Sequence, residues 1–192
     1  MKRAALFRQQ GTGLIELITV IVVLGILFAS AVPSLYGFMM ASRVSDAAST
    51  FTRSLMLARS EALKRNKPVR ACSTSNGSTC DAGTDWDSGW IVYVDANSNG
   101  TFDAGDEAVR VFPRLTSGLT LRGSAAVTRS IGFDTVGTPT SVGWFALCNV
   151  GSLQGSRAVF VNAIGRIKLA TDRDSDGVPE DPTGTDIVTC SP

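Results

Sequence analysis

Residues 14–32 read LIELITVIVVLGILFASAV, nineteen positions carrying one charge, Glu16. A helix that crosses a bilayer needs roughly 20 consecutive apolar residues, so this run is long enough to span one. Lys2, Arg3 and Arg8 precede it and no basic residue lies inside it, an asymmetry that predicts a cytoplasmic N-terminus and places everything after Val32 outside. The competing reading is a secretory signal peptide with Ala29-Ser30-Ala31 as its cleavage site. Glu16 argues against that reading, because an ionised carboxylate is costly in hydrocarbon and persists where a partner neutralises it.

Beyond Pro33 the pattern turns amphipathic. Val44, Ala48, Phe51, Leu55, Ala58 and Ala62 recur at spacings of four and three, the period of a helix with one buried face. Arg43, Asp46, Arg53, Arg59, Glu61, Lys64 and Arg65 take the other faces. The spacing predicts one helix from Leu14 to about Asn66, roughly 80 Å at 1.5 Å per residue, stopped by Asn66-Lys67-Pro68. Short β-branched segments separated by Gly, Asn, Asp and Ser follow. They predict strands at Pro68–Ser73, Gly89–Val94, Ala108–Phe112, Leu119–Arg122, Thr128–Phe133, Gly143–Cys148, Arg157–Asn162, Arg166–Ala170 and Ile187–Cys190. The expected fold class is α+β, an antiparallel sheet packing one face on the amphipathic half-helix. Trp86 and Trp90 read as core residues.

The 192 residues include no histidine. That removes Ser-His-Asp and Cys-His catalysis and His-based zinc chemistry, and no convincing carboxylate pair replaces them, so an enzyme is not expected. The net charge of +1 conceals alternating blocks: 43–70 carries +5, 81–107 carries −7 with no basic residue, 110–168 carries +6 and 172–186 carries −5.

Cys72, Cys80, Cys148 and Cys190 all follow the membrane segment, on the side where disulfides persist. Of the three pairings open to four cysteines, Cys72–Cys80 with Cys148–Cys190 is preferred: the first pair brackets a polar loop, and the second fastens the C-terminus to a strand. Two stretches have oxygen ligands at alternate positions, the spacing that lets a tight loop turn them onto one hard cation. Asp95-x-Asn97-x-Asn99-Gly100 has Asp106 at its twelfth position, and as a hairpin tip it needs no ion. Asp172-x-Asp174-x-Asp176-Gly177, followed by Glu180 and Asp181, resembles the aspartate-rich calcium loops of extracellular bacterial proteins. No cofactor is required, and calcium is the one candidate.

The N-terminal residues resemble a type IV prepilin leader: a short basic peptide, Gly11, then Thr12-Gly13-Leu14-Ile15-Glu16 and the apolar helix. That resemblance implies cleavage by prepilin peptidase between Gly11 and Thr12, N-methylation of Thr12, neutralisation of Glu16 by the N-terminal amine of a neighbouring subunit, and a helix-bending proline at Pro33. Ala58-Arg59-Ser60-Glu61-Ala62-Leu63-Lys64-Arg65-Asn66, Pro68-Val69, Cys72, Trp86, Gly89-Trp90-Ile91-Val92-Tyr93, Asp95 to Asp103 and Gly165-Arg166 resemble the GspH/FimT group of pilin-like proteins. The implied plan is a leader (1–11), the transmembrane part of the helix (12–33), its amphipathic half (34–66) and a periplasmic β-rich head (67–192). The implied function is a minor type IV pilin of the pilus tip or its priming complex. Before assembly it sits single-pass in the inner membrane; its partners are other pilins and the inner-membrane assembly platform. A minor pseudopilin of a type II secretion system shares this plan. Some FimT-type pilins bind DNA through a C-terminal Gly-Arg-x-Arg segment; here Gly165-Arg166-Ile167-Lys168 stands in its place, and Arg166, Lys168 and Arg157 are the candidate DNA contacts, with Lys168 lacking the planar fork that grips phosphate.

Overall fold

Asn66, just after the last helical turn, adopts a left-handed φ of 52°, the conformation that commonly ends a helix, and Pro68 forbids another turn behind it. The computed structural model describes residues 13–81, 83–149, 152–181, 183–187 and 189–190, with the backbone alone for 30–36. Its single α-helix among these residues, α1 (Leu14–Arg65), keeps basic Lys64 and Arg65 in its last turn, where they complement the helix dipole. The chain divides into two compact units, 1–39 and 40–192.

In the first unit every described side chain of 14–29 is exposed, from Leu14 at 78% to Leu24 at 45%. Among the described residues no helix is long and apolar enough to cross a membrane; the apolar run 14–32 continues into positions whose side chains lie outside them. Gly11 and Thr12 also lie outside the described residues, as does the side chain of Pro33.

In the second unit the six positions of the helical stripe, Val44, Ala48, Phe51, Leu55, Ala58 and Ala62, are all buried. They meet two antiparallel sheets. The first contains β1 (Val69–Ser73), β2 (Trp90–Val94), β3 (Glu107–Phe112) and β5 (Ser130–Phe133) in the order β3-β2-β1-β5. The second contains β4 (Leu119–Gly123), β6 (Gly143–Asn149), β7 (Ser152–Val161) and β8 (Ile167–Leu169) in the order β4-β6-β7-β8. The sequence predicts one sheet; there are two because β5 crosses back to pair with β1, Val69 opposite Phe133, while β4 pairs with β6. One core joins the helix to both sheets. Phe51 is its hub, in edge contact with Trp86, Trp90 and Phe145 at centroid distances of 5.5, 5.2 and 4.7 Å.

Strand β2 is buried at all five positions, which explains its unbroken apolar reading. Trp90, Val92 and Val94 face the main core. Ile91 and Tyr93 join Cys72 in a smaller cluster covered by Cys80 and Phe102. Two expected strands differ from the sequence reading. β7 begins five residues early, because polar Ser152, Gln154 and Ser156 hide its first half. Among the described residues, 187, 189 and 190 lie outside any strand and the tail shows one isolated bridge, Glu180 to Asp186; Cys190 is held by its disulfide to Cys148.

Candidate functional site

Glu16 sits in the first turn of α1 among exposed apolar side chains. Its backbone N–H donates to the Gly13 carbonyl at 3.0 Å, and its own carbonyl accepts from the Thr19 hydroxyl. This exposed apolar segment with one carboxylate is the part of the molecule that needs another surface, since burying a typical aliphatic side chain is worth about 1.5–3 kcal/mol.

The cysteines pair as Cys72–Cys80 and Cys148–Cys190, with Cα separations of 5.6 and 6.0 Å. The first bridge closes the polar loop beneath β1. The second ties the tail to β6.

The first acidic loop is organised by hydrogen bonds. Asp95 is fully buried; one oxygen accepts from Arg70 Nε at 2.7 Å and from the Gly100 N–H, and the other accepts from the Asn99 N–H. Asn97 and Asn99 donate to Asp103 at 3.2 and 2.6 Å. The Asn99 side chain first, then the Gly105 N–H and Asn97, hold the Asp103 carboxyl below its usual range. Asp106 caps the Ala96 and Asp103 N–H groups. The oxygens that the sequence offers to a cation are thus spent on Arg70 and on the loop's own backbone.

The second loop gathers carboxylates. Single oxygens of Asp172, Asp174 and Asp176 lie within 4.8 Å of one another, and so do those of Asp174, Glu180 and Asp186. These are the residues that could hold a hard cation. The loop also ties itself together: Asp172 accepts from the Ser175 and Gly177 N–H groups, and Glu180 accepts from the Arg173 N–H with both oxygens. Asp181 turns away to cap Thr183 and Thr185. Burial, then the carboxylates of Asp176, Asp174, Glu180 and Asp172, push the Asp186 carboxyl up.

The three basic candidates are dispersed. Arg157 lies on the face of β7 that carries buried Val159 and Val161, whereas Lys168 is opposite Phe160 and so on the other face. Lys168 lines a cavity of about 370 Å³ together with Arg173, Glu180 and Asp181. Arg166 lines a separate groove against Met56, Arg59 and Leu63 of the helix. Arg59 donates from Nε to the Gly137 carbonyl at 2.9 Å and from Nη2 to the Ile164 carbonyl at 3.0 Å, fixing two turns at once. The sequence reading overlooks a row across β6, β7 and β8, Trp144–Phe160–Lys168, in which the two rings lie 6.2 Å apart. Alternation along β6, with Phe145 buried, is the signal that turns Trp144 to the opposite face.

An amphipathic stretch of helix laid on two antiparallel sheets is a pilin-like α+β fold. The family model described as "Type II transport protein GspH" matches residues 47–165, and the chain belongs to that family. The solved structure of the type IV minor pilin FimU of Pseudomonas aeruginosa PAO1 is similar, with a TM-score of 0.59 and 23% identity over 80% of this chain and 98% of that one. A second crystal form of FimU gives a TM-score of 0.55 and 24% identity over 76% and 98%. The minor pseudopilin EpsH of the Vibrio cholerae type II secretion system matches at a TM-score of 0.49 and 11% identity over 68% and 97%. No curated protein matches the chain.

Proposed function

We propose that the chain is a minor type IV pilin, a structural subunit that enters the filament by its N-terminal helix and displays the β-rich head. The observation that carries this reading is the helix itself: one continuous α1 whose residues 14–29 are exposed and apolar around Glu16, and whose residues 44–62 are docked into the head. Before assembly the apolar run 14–32 anchors it in the inner membrane with the head in the periplasm; prepilin peptidase cuts between Gly11 and Thr12, Thr12 is methylated, and the assembly platform inserts the subunit among other pilins. The family description also supports a minor pseudopilin of type II secretion, and the likeness of fold to the minor pilin FimU is consistent with the pilus. In producing cells, Gly11→Ala and Glu16→Ala should leave the chain in membranes and deplete it from sheared filaments. Filament levels equal to wild type for both variants would contradict the assignment.

DNA capture is a further reading, supported by the aromatic and cationic row Trp144–Phe160–Lys168. Trp144 and Phe160 are half-buried, and base stacking on accessible aromatic surface next to cations is a usual basis of single-strand binding. Loss of salt-sensitive DNA binding in Arg166→Ala with Lys168→Ala tests it, and unchanged binding would dismiss it.

A further inference from the structure

Where the docked half of α1 begins, a cleft of about 260 Å³ opens between the helix and the connection from β3 to β4. Arg43 lines it from the helix, Arg114 from the connection, and Trp90, Phe112, Pro113 and Leu115 supply apolar surface. Phe112 stacks on Trp90 at 5.1 Å with the rings nearly parallel, so this wall is rigid. A third guanidinium, that of Arg110, stands 5.1 Å over the Phe112 ring. Among the described residues none of Arg43, Arg110 and Arg114 has a carboxylate within ion-pair distance. Arg65, Arg70 and Arg122, by comparison, are each paired with a carboxylate. Asp46 also lines the cleft but pairs with none of the three.

Resting on the filament reading above, we infer that this cleft is a contact between subunits, taking from a neighbouring pilin head an acidic segment that inserts one apolar side chain between Arg43 and Arg114. The cavity has room for about one or two side chains, which suits an anchor residue with flanking carboxylates and is too small for a nucleic-acid duplex. Charge complementarity sets the sign: unpaired arginines on an aromatic wall are the composition of interface anchors, and carboxylates are their partners. A head built like this one presents such a partner: Asp174, Asp176 and Asp186 are exposed and, among the described residues, have no cation within ion-pair distance. Contact between unlike faces of successive subunits is the kind that propagates a helical filament rather than closing a ring.

The test uses the full-length chain in cells that make filaments and reads the ratio of chain in sheared filaments to chain in membranes. Arg43→Glu with Arg114→Glu should lower that ratio at least tenfold, and Arg43→Lys with Arg114→Lys should keep it within about threefold of wild type. An unchanged ratio in the charge-reversed chain overturns the inference. If charge reversal depletes the membrane pool, Arg43→Gln with Arg114→Gln decides by the same ratio, since it removes charge and keeps bulk. Unchanged filament entry with lost DNA uptake assigns the cleft to nucleic acid and likewise overturns it. Wild-type chain missing from filaments contradicts the function proposed above, a different result from either.

Discussion

Gly165 approaches Gly137 so closely that a Cβ at position 165 would stand 2.2 Å from the Gly137 carbonyl oxygen. Gly165 also has a φ of +74°, a conformation L side chains rarely adopt. The β7–β8 turn is therefore pressed against the turn after β5, and Arg59 clamps both through their carbonyls. Gly165 thus has a structural reason that is independent of any ligand.

Gly165→Ala should destabilise the head by about 3 kcal/mol, combining strain at a positive φ with a steric clash. Equilibrium unfolding of the detergent-solubilised chain measures it. Arg59→Ala, which removes two charge-assisted hydrogen bonds, should cost about 2 kcal/mol, and the two losses should add to less than their sum because they act on one contact.

Trp90 Nε1–H donates to the Ser54 hydroxyl at 2.9 Å in a fully buried setting, and that hydroxyl donates to the Phe51 carbonyl. Ser54→Ala leaves the indole N–H without its partner, at a cost of about 1–3 kcal/mol. A red-edge shift in the tryptophan fluorescence spectrum alongside lowered thermal stability checks it; unchanged stability would remove the bond from the account.

Burial pushes the Tyr93 phenol well above its ordinary pKa, with its hydroxyl donating to the Gly100 carbonyl. The folded chain therefore holds this proton to higher pH than the unfolded chain does. Tyr93 contributes stability that is fully present below the unfolded pKa of about 10 and is lost as pH rises toward the folded value. Ultraviolet titration should show one of the two tyrosines ionising only as the protein unfolds. Reversible ionisation in the native state near pH 10 is the opposing outcome.

The disulfides should differ in weight. Cys148–Cys190 spans a separation of 42 residues and Cys72–Cys80 one of 8. Loop-closure entropy then gives about 4 kcal/mol for the first and about 2.5 kcal/mol for the second. Double Cys→Ser variants at each bridge, compared by unfolding midpoint, test the order.

Much of this was legible from the chain. Period-four and period-three spacing marks the buried stripe from Val44 to Ala62 because a helix on a sheet must hide one face, and Asn66-Lys67-Pro68 marks its end because those residues cannot continue it. The split into two sheets was not legible. It depends on β5 pairing with β1 across about sixty residues, a choice made by long-range packing that local pattern does not encode. The basic residues show the same limit: Arg157, Arg166 and Lys168 are close in sequence, yet strand parity and a tight turn send them to different surfaces. Conversely, Arg43, Arg110 and Arg114 come together only through the fold. In the first acidic loop, read as a hairpin tip, buried Asp95 finds Arg70, a residue of strand β1 that the spacing of the loop's own oxygens does not reveal.

The central claim is that this chain becomes a filament subunit by way of its processed N-terminal helix. The most direct measurement is the intact mass of the chain recovered from sheared filaments of producing cells. A species beginning at Thr12, with one added methyl group, is the predicted result. Recovery of the chain only from membranes, or in filaments with Met1 to Gly11 still attached, would contradict the account.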